Sequence, residues 1–211
     1  MKIGLGFLRG MALRTPSGQS TRPTSSRVRE SLVHLLGADL EDVTFVDFFA
    51  GSGSVGLQML SSGAQGCLFV ETDKQAEKAL KENIKNAVLR FKKQDIDPHP
   101  IKVISKDITH LQRSEMKSLL PKHSKLMFWA DPPYDEGVAI IENLLGVLSF
   151  VEEETIFLCE LSSKQLQAHE ARHGDACFSR GGWECLKRKK YGDTAILIWR
   201  KKPNEGQSFE S

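Results

Sequence analysis

Short apolar-rich runs alternate with amphipathic segments through the central part of the chain. Between residues 43 and 170, each run is followed by a stretch in which apolar residues recur three or four positions apart, the spacing of one helix face. The runs lie at residues 43–48, 67–70, 101–104, 125–130 and 155–159. Strands that alternate with helices predict an α/β fold with a parallel sheet and helices on both of its faces.

The helices around these runs have ordinary start and stop signals. Ser25 or Ser26 can cap the first helix, Thr72-Asp73 can cap a long charged one, and Pro121 ends another. The predicted helices cover residues 27–36, about 57–61, 74–91, a segment that ends at residue 120, 136–149 and 162–170.

The two ends of the chain depart from this alternation. Residues 1–22 contain four glycines and no helical period, which predicts an extended or hairpin-like arm. Near the C-terminus, residues 176–190 and 194–201 have the pattern of two strands joined by a short turn, an antiparallel hairpin. We therefore expect a basic arm or hairpin over residues 1–22, one domain over residues 23–203 and a polar tail over residues 204–211.

Composition narrows the class of protein. A chain of 211 residues with 40% hydrophobic residues suits a single domain with a full core. The apolar runs are far shorter than the ~20 residues that a membrane span needs, and the N-terminus does not have the pattern of a signal peptide. Four scattered cysteines without a CxxC pair indicate reduced thiols and no metal site. We expect a cytoplasmic monomer that does not bind membranes.

Basic residues are concentrated in two places although the net charge is only +2. Six lysines and arginines precede Glu30, the first acidic residue, and a second cluster covers residues 187–190. Such clusters on a nearly neutral chain favour a local site for a polyanion such as nucleic acid. The alternative is a solvated arm and a charged hairpin. The candidate nucleic-acid-binding residues are Arg9, Arg14, Arg22, Arg27, Arg29, Lys189 and Lys190.

An acidic residue stands at the end of each of the first four predicted strands. These residues are Asp47, Glu71, Asp107 and Asp131. A single acidic residue after a strand is ordinary turn chemistry. Four in succession are better explained by a binding site, because ligands of open parallel sheets bind at the carboxyl ends of the strands.

A glycine-rich loop follows the first strand and narrows the ligand to two candidates. Gly51, Gly53 and Gly56 form a GxGxxG pattern with Glu71 twenty residues after the first glycine, which is typical of dinucleotide-binding proteins. Asp47 argues against a dinucleotide, since a carboxylate beside the loop would repel a pyrophosphate. It suits S-adenosylmethionine, which has an ammonium group and no phosphate.

In this interpretation Asp47 binds the ammonium group, Glu71 accepts hydrogen bonds from the ribose hydroxyls, and Asp107 accepts one from the adenine amine. The candidate cofactor-binding residues are Asp47, Phe49, Gly51, Gly53, Glu71 and Asp107.

The fourth strand runs into Asp131-Pro132-Pro133-Tyr134. The two prolines fix their own φ angles and hold the residue before them extended, so a carboxylate and two carbonyls lie on a rigid turn followed by an aromatic ring. An ordinary strand-terminating turn is the alternative. The arrangement suits a flat group that carries an amine, and we take these four residues as the candidate catalytic residues.

Several segments resemble known methyltransferases. The sequence VDFFAGSGSVG at residues 46–56 resembles motif I of the class I S-adenosylmethionine-dependent enzymes, and DPPY at residues 131–134 resembles the motif of members that methylate exocyclic base amines. RPTSSRVRESL at residues 22–32, DPPYDEG at residues 131–137 and KKYGDT at residues 189–194 resemble the bacterial small-subunit ribosomal RNA guanine-N2 methyltransferases. The resemblance extends over residues 8–200, and the segment at residues 22–32 is its most specific part.

The resemblance implies a Rossmann-like methyltransferase fold over residues 23–203. We expect a mostly parallel seven-stranded sheet with helices on both faces and a C-terminal antiparallel hairpin. It also implies methylation of a guanine N2 amine in 16S ribosomal RNA. Naked RNA, a ribonucleoprotein or small-subunit assembly intermediate and an assembled subunit all remain open as the form of the substrate. The target base would be flipped out and held by Asp131, Pro132, Pro133 and Tyr134.

Three alternatives remain open at this point. An adenine-N6 methyltransferase uses the same Pro-Pro motif, although the chain has little room for a separate target-recognition domain. A nicotinamide-dependent oxidoreductase would use the same glycine pattern. A non-catalytic RNA-binding assembly factor would have no need to keep both Asp131 and Tyr134.

Overall fold

The computed structural model describes residues 1–16, 24–36, 40–97, 99–122, 125–133, 136–173 and 180–203. The strands in these ranges are β1 (Val43–Phe48), β2 (Gly66–Val70), β3 (Ile101–Ile104), β4 (Lys125–Ala130), β5 (Ile156–Ser162), β6 (Trp183–Tyr191) and β7 (Thr194–Lys201). The helices are α1 (Ser26–Leu36), α2 (Ser54–Ser61), α3 (Lys74–Lys92), α4 (Arg113–Leu119), α5 (Gly137–Val147) and α6 (Ser163–His173), with a 3₁₀ turn at Leu148–Phe150. None of the helices within those ranges is both long enough and apolar enough to cross a membrane.

The strands form a seven-stranded sheet in the order β3-β2-β1-β4-β5-β7-β6. β1 pairs in parallel with β2 and with β4, and β2 pairs in parallel with β3. β7 is antiparallel to both β5 and β6. The predicted mostly parallel sheet with a C-terminal antiparallel hairpin is confirmed.

One compact unit comprises the described parts of Met1–His110 and Leu120–Asp131. Residues 1–16 form part of it as a hairpin-like segment, in which Lys2 and Ala12 pair and the Ile3 amide donates to the Met11 carbonyl at 3.0 Å. Ile3, Leu8, Met11 and Leu13 are buried, so apolar packing fixes this described part of the predicted arm. Residues 17–22 lie outside the described residues.

Helix boundaries in this unit follow from hydrogen bonds to the first free amides. The Ser25 hydroxyl accepts from the Val28 amide, and the Asp73 carboxylate accepts from the Gln75 and Ala76 amides, as N-caps do. Helix α2 begins three residues earlier than predicted. The Leu57 amide already donates to the carbonyl of Gly53, which adopts a left-handed conformation at the helix start.

The second compact unit comprises Leu111–Leu119 and the described part of Pro132–Ser211. Its core contains Phe157, which makes edge-on contacts with Trp183 and Trp199. Strand β6 begins at Trp183, later than the predicted start at residue 176. Gly181 and Gly182 have φ angles of 66° and 76°, which an extended strand cannot include. The first residues of that predicted strand, 176–179, lie outside the described residues.

Candidate active site

The carboxyl ends of four neighbouring parallel strands meet at one edge of the sheet. Phe48 is in register with Val70 on one side and with Ala130 on the other, and Val70 is in register with Ile104. The acidic residues follow these ends. Asp47 is the penultimate residue of β1, Glu71 and Asp131 directly follow β2 and β4, and Asp107 comes three residues after β3.

Asp47 is a carboxylic acid enclosed by protein. It is 1% exposed, and its Oδ2 accepts a hydrogen bond of 2.9 Å from the Gly56 amide at the start of α2. Burial raises the pKa of Asp47 to about 7; the negative charge of Glu71 adds to the rise and the Gly56 hydrogen bond opposes it. A cationic group at this place would favour the ionised form.

The glycine loop bends back toward the end of β2. Phe49, Gly51 and Gly53 all have left-handed backbone angles, with φ of 64°, 55° and 78°. The Gly51 amide donates to Glu71 Oε2 at 2.6 Å, and the other oxygen of Glu71 accepts from the two amides that follow it. A Cβ added to Gly51 would meet nothing within 4 Å, so a ligand can approach the loop backbone there.

Asp107 lies on an exposed loop after β3. Its Oδ1 accepts from the hydroxyl of Thr109 at 2.7 Å and from the Thr109 amide at 2.8 Å. These two hydrogen bonds lower the pKa of the Asp107 carboxyl, which therefore stays ionised at neutral pH. The side chain is held as an acceptor on the same edge as Asp47 and Glu71.

Asp131 is half-buried and has a partner that sequence reasoning missed. The hydroxyl of Thr24 donates to Asp131 Oδ2 at 3.0 Å, across 107 positions of the chain. Of the neighbouring prolines, Pro132 is buried and Pro133 is exposed. Tyr134 lies outside the described residues. The signal that could have pointed to Thr24 is its place within the Arg-Pro-Thr segment that carries the family resemblance.

Asn83 is a second residue that sequence reasoning missed. It is fully buried in the apolar stripe of α3, and its side chain bonds both the amide and the carbonyl of Arg14. Its Nδ2 also donates to the Ser52 carbonyl in the glycine loop at 2.9 Å. A polar residue at helical spacing among Ala76, Leu80 and Ala87 was the available signal, since buried amides need partners.

The candidate RNA-binding residues differ in their exposure. Arg9, Arg14, Arg27 and Lys190 are exposed, Lys189 is half-buried, and Arg22 lies outside the described residues. Arg14 also forms an ion pair of 2.7 Å with Glu82, a contact of little energetic weight at the surface.

The expectation that Arg29 contacts RNA requires a correction. It is 1% exposed, and its guanidinium donates to the carbonyls of Thr24 and Lys2. Burial lowers the pKa of the guanidinium from its ordinary value. A group enclosed in this way joins α1 to the N-terminal segment instead of facing a phosphate, because its Nη1 and Nη2 donate to carbonyls inside the protein.

Comparison with known proteins adds to this geometry. The family described as "Conserved hypothetical protein 95" matches residues 1–200. YlbH of Bacillus subtilis strain 168, named as a candidate rRNA methyltransferase, is 27% identical over 208 residues, which cover 96% of this chain and 100% of YlbH. Ribosomal RNA small subunit methyltransferase D of Haemophilus influenzae is 26% identical over 206 residues, 95% of this chain and 93% of that protein.

One solved structure of a similar fold contains a cofactor product. It is an RNA methyltransferase from Salinibacter ruber in complex with S-adenosyl-L-homocysteine. The TM-score is 0.55 at 15% identity, over 90% of this chain and 100% of that one. Together with the relatives, this confirms the family resemblance found in the sequence and the Rossmann-like methyltransferase fold.

Proposed function

We propose that this chain, which belongs to the family described as "Conserved hypothetical protein 95", methylates the N2 amine of a guanine in small-subunit ribosomal RNA. Methyl transfer from S-adenosylmethionine to ribosomal RNA is the activity that its relatives support. The observation that carries the cofactor assignment is the enclosed Asp47 carboxyl beside the glycine loop, because it favours a cationic cofactor without a phosphate. The guanine assignment is supported by the resemblance of residues 22–32, 131–137 and 189–194.

The residues at the sheet edge fit this cofactor. Asp47 would bind the ammonium group of the cofactor. The positive charge of that group would then favour the ionised form of Asp47 near neutral pH. Glu71 would exchange its bond to the Gly51 amide for bonds from ribose hydroxyls, and the open side of Gly51 admits the amino-acid part. Asp107 would accept from the adenine amine. A dinucleotide is disfavoured, because its pyrophosphate would lie beside a buried carboxyl.

When bound, S-adenosylmethionine would supply an electrophilic methyl group on its sulfonium. Transfer would form the N–C bond as the S–C bond breaks, leaving S-adenosyl-L-homocysteine, and the amine would lose one proton. The residues of this chain would position the nitrogen of the target amine, whose lone pair is otherwise delocalised into the base. Asp131 and the Pro132 carbonyl would each accept one N–H of the amine, which favours a tetrahedral nitrogen. Positioning and electrostatic stabilisation would then set the rate, without a covalent enzyme intermediate.

Tyr134 would stack on the extruded base. Stacking of a base on an aromatic side chain contributes ~1–3 kcal/mol. That is comparable with the few kcal/mol that extrusion of a nucleotide costs, so the ring would offset much of the penalty. Arg14, Arg22, Arg27, Lys189 and Lys190 would contact phosphates and set the position of the RNA without reading its sequence. Arg9, next to residues that bond Ser61 at the far end of α2, would contribute little to this contact.

The test is transfer of tritium from labelled S-adenosylmethionine to ribosomal RNA from a strain that lacks the gene, followed by nucleoside analysis. We expect label in N2-methylguanosine. Label in N6-methyladenosine would contradict the guanine assignment, and RNA binding without any label would favour the assembly factor. Separate reactions with naked RNA, a ribonucleoprotein intermediate and assembled small subunits identify the form of the substrate, and sedimentation of the active protein tests the expected monomer.

A further inference from the structure

Thr24 joins the N-terminal region to the candidate catalytic carboxylate. It is 6% exposed, and its hydroxyl donates to Asp131 Oδ2 at 3.0 Å. The bond connects the residue directly after β4 with the segment that precedes α1. A hydroxyl that donates to a carboxylate makes a charge-assisted hydrogen bond, which is stronger than a neutral one.

Thr24 is itself fixed from the other side. Arg29, one turn into α1, donates from its guanidinium to the Thr24 carbonyl and at 3.0 Å to the Lys2 carbonyl. Arg29 is buried, so solvent does not compete for these bonds. Three groups therefore follow one another inside the same compact unit: the Arg29 guanidinium, the Thr24 peptide and hydroxyl, and the Asp131 carboxylate.

The prolines after Asp131 do not fix the orientation of its carboxylate, and the contact with Thr24 restricts that orientation. Pro132 restricts the backbone of Asp131 to extended angles but does not fix its side-chain torsions. The terminal torsion of an aspartate is broad, so a carboxylate with only its backbone fixed samples many orientations. A hydrogen bond to one of its oxygens selects among them.

We propose that Thr24 is a positioning residue of the acceptor site: Arg29 fixes its backbone carbonyl, and its hydroxyl orients the Asp131 carboxylate toward the target amine. The inference rests on the proposed function, since it concerns the rate of transfer to a base amine. It applies equally to a guanine or an adenine acceptor, because Asp131 accepts from the amine in both.

Thr24→Val tests this inference, because it keeps the shape of the side chain and removes the donor. We expect kcat to fall ~10- to 100-fold, the scale of a small misplacement of a catalytic group. The KM for ribosomal RNA and the calorimetric Kd for S-adenosylmethionine should change by less than about twofold, since Thr24 would contact neither. Thr24→Ser, which restores the hydroxyl, should recover most of the rate.

Thr155→Val is the matched control. Thr155 is also 6% exposed, and its hydroxyl donates to the Glu152 carbonyl at 2.6 Å, before β5. It should lower the thermal midpoint about as much as Thr24→Val and leave kcat unchanged. Equal loss of kcat in both variants, or a Thr24→Ser variant as slow as Thr24→Val, would overturn the inference by showing a merely structural effect. Should Thr24→Val fail to fold, Thr24→Ala takes its place in the same comparison.

A second readout needs no methyl transfer. In protein labelled with carbon-13 aspartate, the Asp131 carboxyl resonance is assigned by its loss in Asp131→Asn. Thr24→Val should move this resonance, and Thr155→Val should not. An unmoved resonance overturns the inference whatever the activity. No transfer by the unmutated chain, with the resonance moved by Thr24→Val, would instead overturn the proposed function and with it the catalytic meaning of the contact.

Discussion

The proposed cofactor side of the site, with Asp47 and Glu71, and the proposed acceptor side, with Asp131, are held by different kinds of contact. On the cofactor side, carboxylates accept from backbone amides: Gly56 donates to the buried Asp47, and Gly51 donates to Glu71. On the acceptor side, the half-buried Asp131 accepts from the side chain of Thr24. Only a proline substitution removes a backbone amide N–H, whereas many substitutions remove a side-chain hydroxyl. Because one side would bind the cofactor and the other would orient the target amine, changes on the cofactor side should alter cofactor binding, and changes on the acceptor side should alter rate.

Asp131→Ala should have the largest effect, and it tests most directly whether the acceptor side alters rate without altering cofactor binding. Transfer should fall at least ~100-fold, because the amine loses a preorganised acceptor. The affinity for S-adenosylmethionine, measured by calorimetry, should stay within about twofold of the unmutated chain. Equal losses of transfer and of cofactor binding would show that Asp131 belongs to the cofactor side, and the distinction between the two sides would fail.

Asn83→Ala should disturb both the glycine loop and the N-terminal segment, because Asn83 bonds Ser52 in the loop and Arg14 in the segment. Its loss leaves the buried Ser52 carbonyl, and the partly buried amide and carbonyl of Arg14, without these partners, at ~1–3 kcal/mol for a buried group. We expect the free energy of unfolding to fall by roughly 2–4 kcal/mol in urea titrations. Affinity for the cofactor and for RNA should weaken together.

Asn86→Ala is the control for that variant, since Asn86 lies on the same helix and is exposed. It should change stability by less than about 0.5 kcal/mol, as surface substitutions usually do. If Asn83→Ala weakened only one of the two affinities, Asn83 would serve one side of the site alone.

The pH dependence of cofactor binding tests Asp47. Burial raises the pKa of Asp47 to about 7, so the free protein is mostly protonated there at pH 6. An ammonium group binds the ionised form, and binding below the pKa must therefore release a proton. Affinity should rise with pH between about 6 and 7, approaching tenfold per unit well below the pKa, and level off above it.

Two controls isolate Asp47 in this titration. Asp47→Asn keeps the shape and removes the ionisation, so its affinity should be weaker and independent of pH in this window. 5′-Methylthioadenosine has no amino-acid part and should also show no dependence on pH. A flat profile for S-adenosylmethionine on the unmutated chain would mean that Asp47 does not meet the ammonium group.

The same contrast explains which parts of the site could be predicted from the sequence. Gly56 and Asp47 are nine positions apart, and Gly51 and Glu71 are twenty apart, so the strand-loop-helix pattern already places them together. Thr24 reaches Asp131 only because the chain folds back over 107 positions, and no local spacing encodes that contact. The fold was predictable for the reason that applies to the cofactor side: apolar periodicity is a local signal.

Arg29 shows the limit of a charge pattern. Its neighbours Val28 and Leu32 mark the buried face of α1, and an arginine beside them was expected at the surface. Its burial depends on carbonyl partners, among them that of Lys2, twenty-seven positions earlier. Burial of a charged group is decided by distant partners, so the distribution of charges along the sequence could not show it.

Substitutions of Arg14 and Arg9 should have the smallest effects, on the salt dependence of RNA affinity. They distinguish two parts of the basic N-terminal segment. Asn83 places Arg14 beside Ser52 in the glycine loop, whereas Phe7 and Leu8, next to Arg9, bond Ser61 at the far end of α2. Arg14→Gln should reduce the slope of log affinity against log salt by about 0.7–1, the loss of one phosphate contact. Arg9→Gln has the same change in charge and should leave the slope nearly unchanged, as measured by filter binding across a salt series. Equal reductions would mean that the RNA also follows the end of α2, and no reduction in either variant would place the N-terminal segment outside the RNA site.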